Sequence, residues 1–261
     1  MVFSSLLDPV FGPLLNINPF WAILLISLVL STIITFVYKW MTNQHLMRTL
    51  KEDIKSFQKQ MKELKHDPKK VMEVQKRAME TNMKYMMHSM KPTLVTFIPL
   101  IIIIGWLSSN LAYAPIGPNN EFTVSAVFEE GTEGTIDIIG TDEIELLSEN
   151  EQSIQPYEKK GFFSTERGGK ADWKLKGPTG EYLLEFEYGG ERYKKELLIT
   201  NEQAYKEPEK GIENSKLKML KINNEKLKPL NLFGWEIGWL GTYIIFSIIF
   251  SMSLRKLLKL H

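Results

Sequence analysis

The sequence predicts an α-helical membrane protein with three transmembrane helices, a cytoplasmic antiparallel coiled-coil hairpin and an external all-β, sandwich-like domain. Three observations predict it. Residues 18–38, 92–112 and 235–254 are apolar runs of about 20 residues whose only Asp, Glu, Lys or Arg is Glu236. At about 1.5 Å of rise per residue, a helix of that length crosses the roughly 30 Å hydrocarbon core of a bilayer. Charge is distributed unevenly between the runs. Residues 39–91 hold 13 Lys and Arg against 6 Asp and Glu, and the tail after the third run adds Arg255, Lys256 and Lys259. Basic flanks of membrane segments stay cytoplasmic, which predicts an external N-terminus and a cytoplasmic C-terminus. Residues 113–234 then lie outside, and there apolar and polar residues alternate as they do in half-buried strands.

Composition excludes several function classes. There is no cysteine, so disulfides, iron–sulfur clusters and thiol catalysis are out. His45, His66, His88 and His261 have no metal-ligand spacing, and the phosphate-binding and hydrolase motifs are missing, so neither a cofactor nor an enzyme activity is expected. No acidic residue lies deep in a span, which argues against an ion-coupled transporter. The net charge of +1 is only an average over a basic cytoplasmic part and an acidic external one.

Taken in order, residues 1–17 interleave Leu6, Leu7, Val10, Phe11, Leu14 and Leu15 with Pro and Asp8, the pattern of a short interfacial segment. A disordered N-terminus fits as well. Span 1 (18–38) carries Ser27, Ser31 and Thr35 at a spacing of four, hence on one helix face, with Lys39 at its inner end. The segment 39–91 reads as the hairpin. Leu46, Leu50, Ile54, Phe57, Met61 and Leu64 form a heptad seam, and Asp67-Pro68 stops it and starts a second helix. That helix has Val71, Val74 and Ala78 on one line. Met72, Met79, Met83, Met86 and Met90 form another, with Met87 beside it.

The methionine line has two readings. It can pack against the partner helix, or it can offer an adaptable surface that captures apolar substrate segments, with Met79, Met83, Met86, Met87 and Met90 as the candidates. The basic face of the hairpin suits solvent, anionic lipid or, through counterion release, the ribosome.

Span 2 (92–112) places Thr96 below Pro99, which should kink the helix, and Lys91 at its inner end. Span 3 (235–254) carries Ser247 and Ser251 on one face, and the basic tail 255–261 follows. Hydroxyls in helices commonly bond back to their own carbonyls or mediate small-residue packing. Three helices whose hydroxyls agree in depth also predict a hydrated groove open to the cytoplasm. Its lining would be Ser27, Ser31, Thr35, Thr96, Pro99, Ser247 and Ser251, with Lys39 and Lys91 as charges at its mouth. Between spans 2 and 3, residues 122–128 and 182–188 alternate as strands, the latter running through Gly189-Gly190 into 192–200 as a hairpin. About eight short strands suggest a sandwich.

The stretch Met86-Met87-His88-Ser89-Met90-Lys91-Pro92, continuing through Pro99 to Gly105-Trp106, carries a resemblance to a known family. So does Gly238-Trp239-Leu240-Gly241-Thr242-Tyr243 running on to Ser251 and Arg255-Lys256. With a hairpin between the first two spans, these motifs resemble the Oxa/YidC insertase superfamily, in particular its archaeal YidC-like branch, related to the insertase subunit of the ER membrane complex. The resemblance covers roughly half of the chain. It implies ATP-independent insertion of nascent transmembrane segments through a hydrophilic groove that often holds a basic residue; Lys39 is the nearest match by position. The expected partners are nascent membrane proteins, the ribosome through the basic hairpin, membrane lipids and a small membrane partner subunit, with no small-molecule substrate, in a multi-pass protein of the cell (plasma) membrane. The rival reading is a membrane-anchored scaffold or receptor whose external β-domain binds a ligand and whose coiled coil acts as a stalk.

Overall fold

The computed structural model describes residues 4–139, 143–160 and 165–260. The chain divides into two compact units: residues 1–106 with 229–261, and residues 107–228.

In the helical unit, α1 (Ser4–Phe11) and a 3₁₀ turn (Gly12–Asn16) precede α2 (Pro19–Met41). Asn18 caps α2 by accepting the Phe20 N–H at 2.9 Å, with Pro19 at the first helical position, where its missing donor is harmless. Thr42 ends α2 by donating both its N–H and its hydroxyl to the Tyr38 carbonyl. Asn43 then accepts the Leu46 N–H and opens α3 (Gln44–Glu63). Asp67 does the same for Lys70 at the start of α4 (Pro68–Leu111), as the Asp-Pro pair predicts. The 44-residue α4 is one uninterrupted helix that takes in span 2 and is helical through both Pro92 and Pro99. α5 (Trp239–Leu257) closes the unit. The helices α2, α4 and α5 are long and apolar enough to cross a membrane.

Their relative directions follow from contacts. Ser31 bonds to Ser247 and Tyr38 lies under Arg255, so α2 and α5 run side by side in the same sense. α1, which precedes the start of α2, meets the far end of α4: Asp8 accepts the Trp106 indole N–H at 2.7 Å, and Phe11 packs on the same ring at 5.6 Å. Thus α4 runs opposite to the other two, as three consecutive crossings require. Residues 1–17, read from sequence as an interfacial segment, include a helix docked on α4.

The β unit is a sandwich of two antiparallel sheets. One contains β1 (Phe122–Phe128), β3 (Glu145–Leu146), β5 (Gln155–Lys160), β6 (Thr165–Lys176), β9 (Glu209–Gly211) and β10 (Leu217–Ile222). β6, β1, β10 and β9 are adjacent in that order, and β3 and β5 both pair with β6. The other sheet runs β4 (Glu151–Ser153), β2 (Thr135–Ile139), β7 (Gly180–Tyr188), β8 (Glu191–Ile199). Gly189 and Gly190, at φ 62° and 80°, turn β7 into β8, the hairpin that the alternation and the glycine pair predict. Alternate residues of both sheets, among them Val124, Phe128, Ile136, Trp173, Leu184 and Phe186, are buried between them. Trp173 stacks at a tilt on Phe186, 5.3 Å away, and donates its indole N–H to the Asn150 carbonyl.

The last turn of α4 belongs to this unit. Its carbonyls lack helical partners, and Tyr205 donates to Ser108 O while Gln203 donates to Asn110 O and Tyr113 O. Tyr205 also accepts the Ala112 N–H at 3.0 Å. Burial first, with two nearby hydrogen bonds opposing it, pushes the Tyr205 phenol up to about 12.

Beyond Lys228 the structure departs from the boundaries read off the sequence. Residues 235–237, read as the start of span 3, are instead β12 (Trp235–Ile237), paired with β11 (Leu230–Leu232) in a separate two-stranded hairpin. The two-residue turn and cross-strand pairing outcompete a helix here, and α5 starts only after Gly238.

Candidate functional site

The helical unit contains a cleft and an exposed apolar helix face at residues singled out in the sequence. The first lies between α2, α4 and α5. Ala22, Ile23, Ile26, Ser27, Leu30, Ser31, Thr35 and Tyr38 form the buried stripe of α2, and small residues on that stripe let α5 approach closely. Tyr243, Ser247, Ser251 and Arg255, four residues apart, fall on one face of α5. A cleft of about 480 Å³ opens between these faces, lined by Ser31 and Ile34 of α2, Leu100 of α4, and Tyr243, Ser247, Ser251, Met252 and Arg255 among the α5 residues. The Ser31 hydroxyl donates across it to Ser247 O at 3.4 Å. At its end the Arg255 guanidinium lies 4.7 Å from the centre of the Tyr38 ring, a cation–π distance.

Only some of the sequence-predicted groove residues reach the cleft. Ser31, Ser247 and Ser251 line the cleft. Thr35 is buried and donates to Ser31 O at 2.6 Å, so its hydroxyl is taken up by its own helix. Thr96 likewise bonds back to Pro92 O and Thr93 O. Ser27 is fully buried, and neither its hydroxyl oxygen nor that of Ser247 has a hydrogen-bond partner among the described residues. Pro99 is half-buried, one residue from Leu100. Lys91 is exposed on α4, and Lys39 borders Phe36, Val37 and Trp40 on an exposed face of α2, apart from the cleft. The cation in the cleft is Arg255. Its position was legible as the fourth member of the series 243, 247, 251, 255, which a reading centred on the hydroxyls passes over.

The second feature is on α4. Val74 and Pro92 are buried, and Val71, Ala78, Thr81, Tyr85, Ser89 and Thr96 are half-buried. These residues form a continuous inward line. The methionine line sits one residue on, rotated by about 100° at 3.6 residues per turn, and is exposed, from 70% at Met72 to 48% at Met86 and Met90. Met72, Met79 and Met83, flanked by Gln75, Lys76, Glu80 and Lys84, lie on one open face of α4. Met86, Met87 and Met90 continue the exposed apolar surface towards the spans. α3 buries Met47 and Leu50.

Hydroxyls and a guanidinium in an otherwise apolar helix cluster can solvate polar groups of an extended chain. Residues 5–128 match the family model described as integral membrane protein EMC3/TMCO1-like, a family of the Oxa1/YidC/ER membrane complex insertase superfamily. The match takes in α2, α3 and α4 and reaches β1, just under half of the chain. No curated protein and no solved structure matches it. An integral-membrane family and three helices of spanning length agree on a multi-pass membrane protein, and the matched family is part of membrane-protein insertion machinery.

Proposed function

We propose that the protein is an insertase of the YidC-like type that helps nascent transmembrane segments enter the bilayer without ATP. The observation that carries this reading is the cleft of hydroxyls and Arg255 within three apolar helices. A charged side chain costs about 2.5–3.5 kcal/mol or more at the centre of a bilayer. A polar recess that reaches mid-span shortens the hydrocarbon that the polar flank of a client must cross, so the barrier falls with no chemical energy input.

In this reading the side of the membrane with α3 and the basic segment 39–91 is cytoplasmic, and the N-terminus lies outside. The α3–α4 arms form a coiled-coil hairpin. Its exposed methionines at 79, 83, 86, 87 and 90 receive the apolar part of a client, because unbranched thioethers repack around many shapes. Clients then pass to the cleft, where Ser31, Ser247 and Ser251 replace water around the polar flank and Arg255 attracts acidic ones. Lys39 and Lys91 anchor their helices at the interface by snorkelling.

Cysteine scanning in the cysteine-free chain tests the cleft. Single cysteines at 31, 247 and 251 should react in membranes with a water-soluble thiol reagent, and cysteines at 102 and 103 should not. Arg255→Gln should reduce insertion of clients with acidic tails at least several-fold more than of clients with uncharged tails. Uniform protection of the three serine positions, or equal losses for both client classes, rules the reading out.

A further inference from the structure

We propose that the β11–β12 hairpin is a membrane-interface wedge: its apolar face and its tip residue Phe233 embed in the headgroup–acyl boundary of the bilayer surface at which α5 begins. The register pairs Leu230 with Ile237, Asn231 with Glu236 and Leu232 with Trp235. Side chains alternate across a strand, so the two apolar pairs share one face and the polar pair takes the other. The hairpin is therefore amphipathic, yet its tip is uncovered by the chain: Phe233 is fully exposed, and Trp235 is 80% exposed.

The turn makes the same point through strain. Phe233 and Gly234 have φ of 53° and 93°, which is the geometry of a type I′ turn. Asn or Gly ordinarily fills the first of these positions, and a bulky residue there costs of order 1 kcal/mol or more. Asn231 Oδ1 accepts the Gly234 N–H at 2.9 Å and closes the turn, an arrangement that needs no aromatic ring. A strained, solvent-facing Phe adds nothing to folding in water. It adds a great deal if the solvent at that point is lipid. A two-stranded hairpin of this size is also marginal alone in water and needs a surface to lie on.

Continuity with α5 identifies that surface. From Trp239 to Leu254, before Arg255, the apolar helix is about 16 residues, or roughly 24 Å, which is about 6 Å short of the hydrocarbon core. The hairpin sits where the missing depth lies. Ile237 packs so closely on α5 that a Cβ on Gly241 would come within 2.7 Å of its Cγ2, and Thr242 donates to Ile237 O at 3.4 Å. With the base thus held on the first turn of α5, the tip lies at most about 13 Å from Ile237. That range covers the interface, where aromatic rings settle. The inference is independent of whether the protein inserts clients.

The test uses the full-length chain in phosphatidylcholine–phosphatidylglycerol vesicles, with Phe233→Cys carrying a polarity-sensitive fluorophore. Emission should shift to the blue. Lipids spin-labelled near the headgroup should quench it several-fold more than lipids labelled at the acyl terminus, as expected for insertion of about 5–10 Å. Phe233→Asn relieves the backbone and so folds at least as well. In that background a fluorophore on Leu232→Cys should lose most of the shift that it shows with Phe233 present. Water-like emission at 233, or protection that follows protein concentration instead of lipid, overturns the proposal, the latter by making the tip a protein contact. A Leu232 shift that persists in the Phe233→Asn background overturns the role of the tip.

Discussion

Hydroxyl-bearing side chains take a larger part in the interior of the helical unit than in that of the β unit. In the β unit the interior is Trp173, Phe128, Phe186, Ile136 and Leu184, and the strand faces turned to solvent are charged. In the helical unit the stripe of α2 facing its neighbours includes Ser27, Ser31 and Thr35, while Leu25, Val29, Ile33 and Phe36 point outward. Water drives the first arrangement, because apolar area removed from it is worth about 25 cal/mol per Å². That force does not act between helices whose surroundings are as apolar as their side chains, so small residues and hydroxyls set the contacts instead. The difference explains how one unit can hold a polar cleft at its centre without unfolding.

The difference also concerns satisfaction. In the β unit Ser125 donates to Asp172 and accepts from Asn223, and the Tyr205 hydroxyl both donates and accepts. In the helical unit Ser27 and Ser247 keep hydroxyls with no partner among the described residues. A buried polar atom without a bond costs about 1–3 kcal/mol. Under the proposed function, a site that receives polar segments tolerates that cost better than a structural core does.

The strongest way to break the comparison is truncation of a large side chain in each unit. Trp173→Ala should destabilise the β unit by about 3–5 kcal/mol. Ile101→Ala, at an exposed position of α4, should change stability by less than about 0.5 kcal/mol. Denaturant titration in detergent, followed by tryptophan emission and helical circular dichroism, reads both. Comparable losses would mean that protein, not lipid, covers the outward faces.

Tyr205 sharpens the contrast in satisfaction. Its folded pKa, near 12, lies above the ordinary 10.0, so the neutral form is the one that folding favours. Its contribution is fully present below about pH 10 and is lost as pH rises through 12. Tyr205→Phe should cost about 1 kcal/mol and abolish that alkaline dependence. Absorbance at the phenolate band against pH, alongside denaturation midpoints, checks both; a Tyr205 that titrates like a free phenol contradicts the bonded geometry.

The smallest expected effect is at Ser27. Ser27→Ala removes an unpartnered hydroxyl at little cost in volume, so the helical unit should be unchanged or more stable by up to about 1 kcal/mol. A loss larger than that in detergent unfolding would reveal a partner for the hydroxyl and would weaken the contrast between the units.

Length, hydropathy and local capping chemistry were legible without a structure. A run of about 20 apolar residues has few alternatives to a spanning helix. Asp67-Pro68 has few alternatives to a helix start, and a Gly-Gly pair between alternating segments reads as a hairpin turn. The strand alternation at 122–128 and 182–188 likewise marked the sandwich, though β4, β5 and β9, which are short or weakly patterned, were not visible in it. What only the tertiary structure decided was azimuth. Helical spacing says that Ser27, Ser31 and Thr35 share a face, but not which of them meets α5, which opens on the cleft and which turns back to its own carbonyl. Those outcomes depend on rotations of a few tens of degrees between neighbouring helices. The same holds for Arg255 taking the cleft while Lys39 faces outward, and for the methionine line lying about 100° from the packing line of α4. The hairpin at 230–237 was hidden for a different reason. Its apolar residues merge with those of span 3, and only cross-strand pairing distinguishes a strand from the first turn of a helix in so short a run.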